Sequence, residues 1–455
     1  MPVSPARRAA FEVVRRVRER NAYSPEVLDQ VLAGTALSPA DAALATRLAR
    51  GTLSAAGTLD EALDRFVARP SDLEPQVRDA LRVAAYELLF ARTPARAAVH
   101  QGVEAVRRLR PQAAGLANAV LRRLAEAAPA FPWGDPDADI EALARATAHP
   151  AWLVERLVAQ RGAAAARVVL EADNEPAPLF LWHNPFAGTL DVAISRLAAD
   201  GAKPVLGPLP GSVRALRPAA AVRGEAVASG LVLVTDAAAQ LAALALAPRP
   251  ASVILDAAAG RGTKTAEIQA LAVEAGGPAS VVAADVHAFK SELVSARMAR
   301  LGVPGVTPVT ADAIDERSLS AALPGGAADA VLVDAPCSGL GALRRHPEKR
   351  WRVRAADVAR LTALQTAMLH GAARVVRPGG VVVYSTCSIL REENDAIVES
   401  FLAAGGGKAF RIRSVAGIVP AVWGEFVTQE GFFQSMPAVD GPDGHFVAVL
   451  ARQAE

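Results

Sequence analysis

The chain reads as an α/β protein, a doubly wound and mostly parallel sheet preceded by an all-α helical bundle. Three observations predict this. Residues 1–125 carry apolar stripes at helical spacing with no strand-like alternation. From Ser252 onward, short apolar runs alternate with helical stretches. Each of those runs stops at a residue with chemistry to offer: Asp256, Asp285, Asp334 and Ser385-Thr386-Cys387. A chain of 455 residues suits two or three cores. The expected divisions are 1–130 for the bundle, 131–245 for a linker with a small α+β subdomain, and 246–455 for the sheet domain.

In the first helix Ala6, Ala9, Ala10, Val13, Val14 and Val17 recur on one face, with arginines between them. Ser24-Pro25 and Ser38-Pro39 offer a capping hydroxyl followed by proline, a helix start. Six or seven helices of ordinary length account for residues 1–125. PAFPWGDPDAD, rich in proline and aspartate, reads as a linker. Beyond it Trp152–Val169 is helical, and Leu179–Trp182 and Val232–Thr235 read as strands. In the last segment the strand signals are Val253–Leu255, Val281–Ala284, Ala330–Val333 and Val381–Tyr384. Helical stretches lie between them, so the sheet is parallel and covered on both faces. Ligands of such sheets bind beyond the carboxyl ends of the strands.

Composition narrows the function. Hydrophobic residues make up 52% and aromatics only 5%, so the cores are built from Ala, Leu and Val. No uninterrupted apolar run of membrane-spanning length occurs, and the arginines of the opening stretch break any signal-peptide block. Both features point to the cytoplasm and away from a membrane. Cys337 and Cys387, 50 residues apart, provide neither a zinc spacing nor a disulfide framework, so no metal is expected. Residues 1–125 hold 19 Arg, no Lys and 13 acidic residues, and a second basic run comprises Arg344, Arg345, Lys349, Arg350, Arg352 and Arg354. Such runs suit a solvated surface or the phosphates of a nucleic acid.

The segment ILDAAAGRGTKT passes from strand to turn to helix, with small residues that admit a ligand to the backbone. Thr263 precedes Lys264 where a nucleotide hydrolase loop needs Gly, and the dinucleotide fingerprint is incomplete, which steers away from ATP and NAD. Asp285 can accept hydrogen bonds from ribose hydroxyls, and Asp312 can serve an adenine amino group. Each alone suits a turn or cap; together, following strands of one sheet, they suit a nucleoside cofactor without pyrophosphate, S-adenosylmethionine. The candidate cofactor residues are Ala258, Ala259, Gly260, Arg261, Gly262, Thr263, Lys264, Asp285, Asp312 and Asp334.

Two sharper segments are VLVDAPCSGLG and VVVYSTCSILREEN, which place both cysteines at the ligand edge. With these motifs the chain resembles the RNA (cytosine-5)-methyltransferases, in particular bacterial ribosomal RNA enzymes of the Fmu/Sun type. ALRVAAYELLF and AGLANAVLRRL resemble the NusB-like helical domain those enzymes carry at the front. VTDAAAQLAA resembles the approach to their catalytic domain, and PDGHFVAVL their closing strand, with His445 where an apolar residue is usual. The cofactor turn departs from the family's Cys-Ala-Ala-Pro-Gly-Gly-Lys at Arg261 and Thr263 but keeps Lys264. LFLWHNP departs at Trp182, two residues before Asn184.

The resemblance implies a Rossmann-like class I methyltransferase fold with an antiparallel closing strand, behind a NusB-like bundle. It implies transfer of a methyl group from S-adenosylmethionine to carbon 5 of a cytosine in RNA, small-subunit ribosomal RNA first among the candidates. Cys387 would be the nucleophile at carbon 6. Asp334 would meet the base at N3, Pro336 would shape its pocket, and Cys337 would serve the release step. Arg344, Arg345, Lys349 and Arg350 would hold flanking phosphates, and the target base must leave its stack. The chain is expected to act as a monomer. Two alternatives stay open: an RNA-binding or ribosome-assembly factor with little methyl transfer, and a methyltransferase of tRNA or DNA. In DNA enzymes the nucleophile lies in a Pro-Cys pair, as in Pro336-Cys337.

Overall fold

The computed structural model describes residues 2–454. The chain forms two compact units, Met1–Pro176 with Leu343–Ala355, and Ala177–Ala342 with Ala356–Glu455. The division therefore differs from the expected boundaries at 130 and 245. Helices Ile140–Thr147, Ala151–Arg161 and Ala163–Ala172 join the helical unit, and the strands from 179 to 234 join the sheet unit. Proline-rich composition marked a turn at 131–136, not a boundary between units: Arg145 Nε donates to the Pro132 carbonyl at 2.7 Å, and Trp133 Nε1 to that of Ala127 at 3.1 Å.

The helical unit carries seven α-helices between Pro5 and Ala127. The first, Pro5–Arg20, buries the six predicted apolar residues, and Ser4 caps it through the Arg7 N–H. Ser38 likewise caps helix Pro39–Ser54 through the Asp41 N–H at 3.1 Å. Ser24 does not cap: the second helix, Ser24–Ala33, already includes it, and Tyr23 holds the capping position.

The segment Leu343–Ala355 interrupts the sheet unit in sequence, yet it is anchored in the helical unit. Arg350 is fully buried and donates to the carbonyls of Ala148 (3.0 Å) and Asp173 (3.1 Å) and to Asn174 Oδ1 (2.8 Å). Trp351 Nε1 donates to the Ser54 carbonyl at 2.7 Å, and the indole fills the space beside Gly57. Arg352 reaches the carbonyls of Val17 and Ala22, both at 3.2 Å. The expectation that Arg350 holds RNA phosphates is thereby corrected, because the guanidinium is fully buried and its Nη groups are bonded inside the protein. Arg344 is buried as well.

The sheet unit holds two sheets. Strands β1 (Leu179–His183), β2 (Pro204–Leu206), β3 (Ser212–Ala215) and β4 (Val232–Val234) form an antiparallel sheet in the order β2-β3-β1-β4. The large sheet comprises β5 (Val253–Asp256), β6 (Ser280–Asp285), β7 (Val306–Thr310), β8 (Ala328–Asp334), β9 (Val376–Thr386), β10 (Phe410–Arg413), β11 (Phe433–Gln434) and β12 (Phe446–Arg452). Its order is β10-β12-β9-β8-β5-β6-β7, with β11 paired to β12. Strands β5 to β9 run parallel; β12 closes the sheet antiparallel to β9.

The strand sequences explain why both faces are covered. Along β8, Val331 and Val333 enter one core while Ala330 and Leu332 enter the other. Along β9, Val382 and Tyr384 alternate with Val381 and Val383 in the same way. A two-residue side-chain period thus feeds two buried layers, and the strand reads as one apolar run. Met368, Leu369, Ile397 and Phe401 cover the first face; Leu241, Leu246, Ile268 and Ala272 cover the second. Strand order reverses between β5 and β8, so the loops after these strands open the crevice where doubly wound sheets take ligands.

Candidate active site

The cofactor turn follows β5. Gly260 (φ 56°) and Gly262 (φ 74°) adopt left-handed backbone there. A side chain on Gly262 would crowd Met298 and Val294, so only glycine serves. Thr263 begins helix Thr263–Glu274 and needs no such conformation, which explains why Thr is accommodated at that position. Arg261 is accommodated too, its carbonyl accepting from Arg297 Nη1 at 3.0 Å. The turn is braced by the Ala257 N–H on the Leu332 carbonyl and the Ala259 N–H on the Ala284 carbonyl, both at 2.9 Å.

Asp256 is buried at the foot of the turn. Thr265 Oγ1 donates to its Oδ2 at 2.6 Å, while Oδ1 is left without a partner. Burial, with the Asp334 charge adding to it, pushes this carboxyl up to about 6. Asp285, ending β6, accepts from the His287 N–H (3.0 Å), the Gly260 N–H (3.3 Å) and Lys290 Nζ (3.0 Å). Asp312 turns one oxygen back onto the Ile314 N–H at 3.0 Å, the turn role that aspartate often takes. An orphaned buried oxygen on Asp256, carboxylates at successive strand ends and an open space at Gly260 suit a cationic nucleoside such as S-adenosylmethionine.

Lys264 Nζ lies 2.8 Å from Asp334 Oδ2. Burial opposes the charge on Lys264, but Asp334 overrides it and raises the ammonium above the usual lysine range. The other Asp334 oxygen accepts from Ser385 Oγ at 3.2 Å, and Ser385 Oγ lies 2.9 Å from His445 Nε2. Burial first, then the Lys264 charge, push His445 down to about 3, so the imidazole is neutral. Ser385 has one hydrogen and gives it to the carboxylate; His445 Nε2 therefore carries the hydrogen between them.

The β8 and β9 registers align Asp334 with Ser385. One step on, the loops bring Cys337 Sγ within 3.2 Å of Cys387 Sγ. The hydrogen bond to Cys387, then burial, then nearby charge on Cys387 and Glu393 hold the Cys337 thiol well above its ordinary range. Cys337 thus keeps its proton and presents it to the Cys387 sulfur. The Cys387 carbonyl accepts from the Gly341 N–H at 2.9 Å, which ties the two loops by backbone.

Glu393 latches the same loops. Its Oε1 accepts from the Ser338 N–H (2.8 Å) and Gln365 Nε2 (3.0 Å), and its Oε2 from the hydroxyls of Ser338 and Ser388, both at 2.5 Å. Asn394 accepts from Thr386 Oγ1 at 2.5 Å and donates to the Ser388 carbonyl at 2.9 Å. The Glu-Asn pair was visible in the sequence, but its four-donor role was not. Gln365 was missed as well; its one signal is an amide amid the apolar positions of helix Ala355–Arg374. Glu267 was also missed. It is buried with neither oxygen in a hydrogen bond, and burial pushes it up to about 8.

The structure thus brings together Asp256, Lys264, Asp334, Cys337 and Cys387 around the crevice, with Asp285 beside the turn. Pro336 is exposed, its carbonyl held by Gln365 Nε2 at 2.9 Å. Lys349 lies 5.9 Å from the Tyr23 ring centroid within the helical unit. Among the described residues, no helix is long and apolar enough to cross a membrane, and no acidic, histidine and cysteine side chains cluster as for a metal.

A family model for the 16S rRNA methyltransferases RsmB/F matches residues 243–451, and a NusB family model matches residues 4–126. Ribosomal RNA small subunit methyltransferase B of Erwinia tasmaniensis is 32% identical over 456 residues, 98% of each chain. That of Sodalis glossinidius is 35% identical over 370 residues, 81% of this chain and 82% of the relative. Among solved structures, PH0851 superposes with a TM-score of 0.82 at 24% identity, covering 99% of both chains. A methyltransferase homolog from Pyrococcus horikoshii gives 0.57 at 22% identity, covering 68% of this chain and 97% of that one. These two likenesses bear on the fold, a Rossmann-like methyltransferase domain; the NusB match accounts for the bundle ahead of it.

Proposed function

The chain belongs to the RsmB/F family of 16S rRNA methyltransferases, which use S-adenosylmethionine, and on that premise we propose that it methylates carbon 5 of a cytosine in small-subunit ribosomal RNA through a covalent Cys387 adduct. The observation that carries this reading is the 3.2 Å approach of two sulfurs at neighbouring strand ends, one of which keeps its proton because of the other.

Carbon 5 of cytosine is too weak a nucleophile to be methylated unaided. The Cys387 thiolate adds to carbon 6, the S–C6 bond forms, and the electrons of the C5=C6 bond move toward N3 and leave carbon 5 enamine-like. Asp334 meets the base at its N3 edge, with its two oxygens held in place by Lys264 and Ser385. When bound, S-adenosylmethionine supplies an electrophilic methyl group, which carbon 5 accepts. Gly260, Gly262, Asp285 and the first turn of helix Thr263–Glu274 are the groups that would hold it.

Release needs a base for the carbon 5 proton. In the adduct Cys387 is a thioether, uncharged and a far weaker hydrogen-bond acceptor than a thiolate. The largest cause holding the proton on Cys337 is then gone, so Cys337 can give that proton up to solvent and, as the thiolate, take the carbon 5 proton. The C5–H electrons re-form the C5=C6 bond, and the S–C6 electrons leave with Cys387 as its thiolate. Pro336 borders the base pocket.

Separate alanine replacements test the assignment with RNA carrying cytosine or 5-fluorocytosine. Cys387→Ala should form no adduct with either, while Cys337→Ala should accumulate adduct on ordinary cytosine. The reverse pattern assigns the nucleophile to Cys337 and defeats the proposal. Bisulfite sequencing of RNA from cells with and without the gene then locates the target.

A further inference from the structure

The helical unit contains a cavity of about 650 Å³ between helices Pro39–Ser54 and Pro75–Leu89, the turn at Asp173–Pro176 and Arg344. Its volume lies in the range of small-ligand sites. Arg47, Arg50 and Arg344 contribute to its wall, together with Tyr86 and Phe90. We propose that this cavity holds one nucleotide of single-stranded RNA, its phosphate between Arg47 and Arg50 and its base against the aromatic wall. The inference rests on the RNA-methylation reading and names a subsite for that substrate in the helical unit.

The charge argument comes first. Arg47 is exposed, and among the described residues it forms no ion pair. Arg50 donates to the Arg344 carbonyl at 2.6 Å, yet burial and the nearby Arg345 both disfavour its charge, with Glu348 the opposing carboxylate. An anion in the cavity would relieve that cost. Two carboxylates also lie in the wall. The Asp173 charge is answered by the buried Arg350, and Glu175 is exposed to solvent. The balance favours a phosphate, for which guanidinium is the matched partner.

The aromatic wall distinguishes a nucleotide from a bare anion. Tyr86 and Phe90 stack with centroids 5.7 Å apart at 17°. The Tyr86 ring lies directly on Gly51, where a Cβ would stand 2.0 Å from Cζ, so the ring is fixed in position. Its hydroxyl makes no hydrogen bond among the described residues and lies free to meet a base edge. Cations beside fixed rings are how proteins bind unpaired nucleotides without a duplex. Arg344, moreover, lies seven residues beyond Cys337 in sequence, in the segment that leaves the catalytic loop.

The test uses the full chain and short single-stranded RNA oligomers carrying 4-thiouridine. Arg47→Glu, at an exposed position that should not disturb folding, is expected to weaken binding about tenfold and to make the salt dependence shallower by about 0.7 in log–log slope. Photocrosslinks are expected in the peptide containing Tyr86 and Phe90. Arg223→Glu, exposed in the other unit, is expected to leave oligomer binding unchanged. Unchanged binding and slope in Arg47→Glu, or crosslinks confined to other peptides, overturns the proposal. Displacement of the oligomer by inorganic phosphate at equal concentration would identify a simple anion site and overturn it as well. Because binding is read without methyl transfer, an inactive chain that still binds through Arg47 sinks only the methylation reading.

Discussion

Lys264 Nζ and Asp334 Oδ2, 2.8 Å apart, join the cofactor turn after β5 to the loop after β8. Both loops flank the point where strand order reverses, so this ion pair fixes the width of the crevice from within. Lys264→Met leaves Asp334 without its cation in a half-buried site. The expected cost is about 1–3 kcal/mol of stability near neutral pH. The sign follows from the raised Lys264 value: its stabilisation is complete below the unfolded lysine value of about 10.4 and is lost as pH rises through the folded one. Thermal unfolding of wild type and Lys264→Met should differ at pH 8 and converge in strong alkali. A gap that persists unchanged at high pH speaks against the pair.

Glu267 predicts a slope of the same sign in a lower pH window. Its folded value of about 8 lies above the unfolded value of about 4.3, so between these the folded chain holds a proton that the unfolded chain releases. Stability must fall as pH rises across that window, by up to about 1.4 kcal/mol per unit. Glu267→Gln removes the slope. Its amide can find Gln240 Oε1, which lines the same small space and has no partner. The variant should gain on wild type by about 2–4 kcal/mol between pH 5 and pH 8. Parallel denaturation curves over that range would falsify the buried, protonated carboxyl.

How much of this could be read in advance depended on the range of the interaction. Strand ends such as Asp256 and Asp334 were legible because a two-layer core forces continuous apolar runs that stop where the strand leaves the core. Motif chemistry located both cysteines, but not the distance between their sulfurs, which depends on a β8–β9 register set far away in sequence. Arg350 was misread for a related reason. A run of charges looks alike whether it faces solvent or carbonyls, and only tertiary contacts with Ala148 and Asp173 distinguish the two. Glu267 gave no signal at all, since an acidic residue on a helix ordinarily faces water.

Glu393 is expected to be the most sensitive position outside the reacting groups. Replacing it with Ala strips the acceptor from Ser338 N–H, both serine hydroxyls and Gln365 Nε2 at once. Buried donors left unpaired cost about 3–5 kcal/mol together. Glu393→Gln keeps the shape but brings an amide group among donors, so it should recover only part of the loss. Equilibrium denaturation would rank the three chains wild type, Gln, Ala; an Ala variant as stable as wild type contradicts the latch.

His445 should act on the reaction only through Ser385. His445→Phe leaves the serine hydroxyl without its donor and loosens Asp334, a loss of about 1 kcal/mol, or about fivefold in kcat. Binding of S-adenosylmethionine is read separately by calorimetry. Because the His445 value is lowered to about 3, its contribution is present above the unfolded value of about 6.5 and fades as pH falls through the folded one. The phenylalanine variant should therefore lose less stability than wild type between pH 6.5 and pH 4. An unaltered kcat with an unaltered acid slope would remove His445 from the network.

The two thiols make the site sensitive to oxidation. Their sulfurs are 3.2 Å apart, and a disulfide needs about 2.05 Å, so a small loop movement suffices. Diamide, an azo oxidant, would take both thiol hydrogens and two electrons to become a hydrazine as the S–S bond forms. Methyl transfer should stop, the intact chain should lose the mass of two hydrogens, and dithiothreitol should restore both. Cys337→Ser can form no such bond, so diamide should leave its RNA adduct formation intact. If that variant is inactivated as fast as wild type, the oxidised partner lies elsewhere, and the sulfurs of Cys337 and Cys387 do not approach one another in solution.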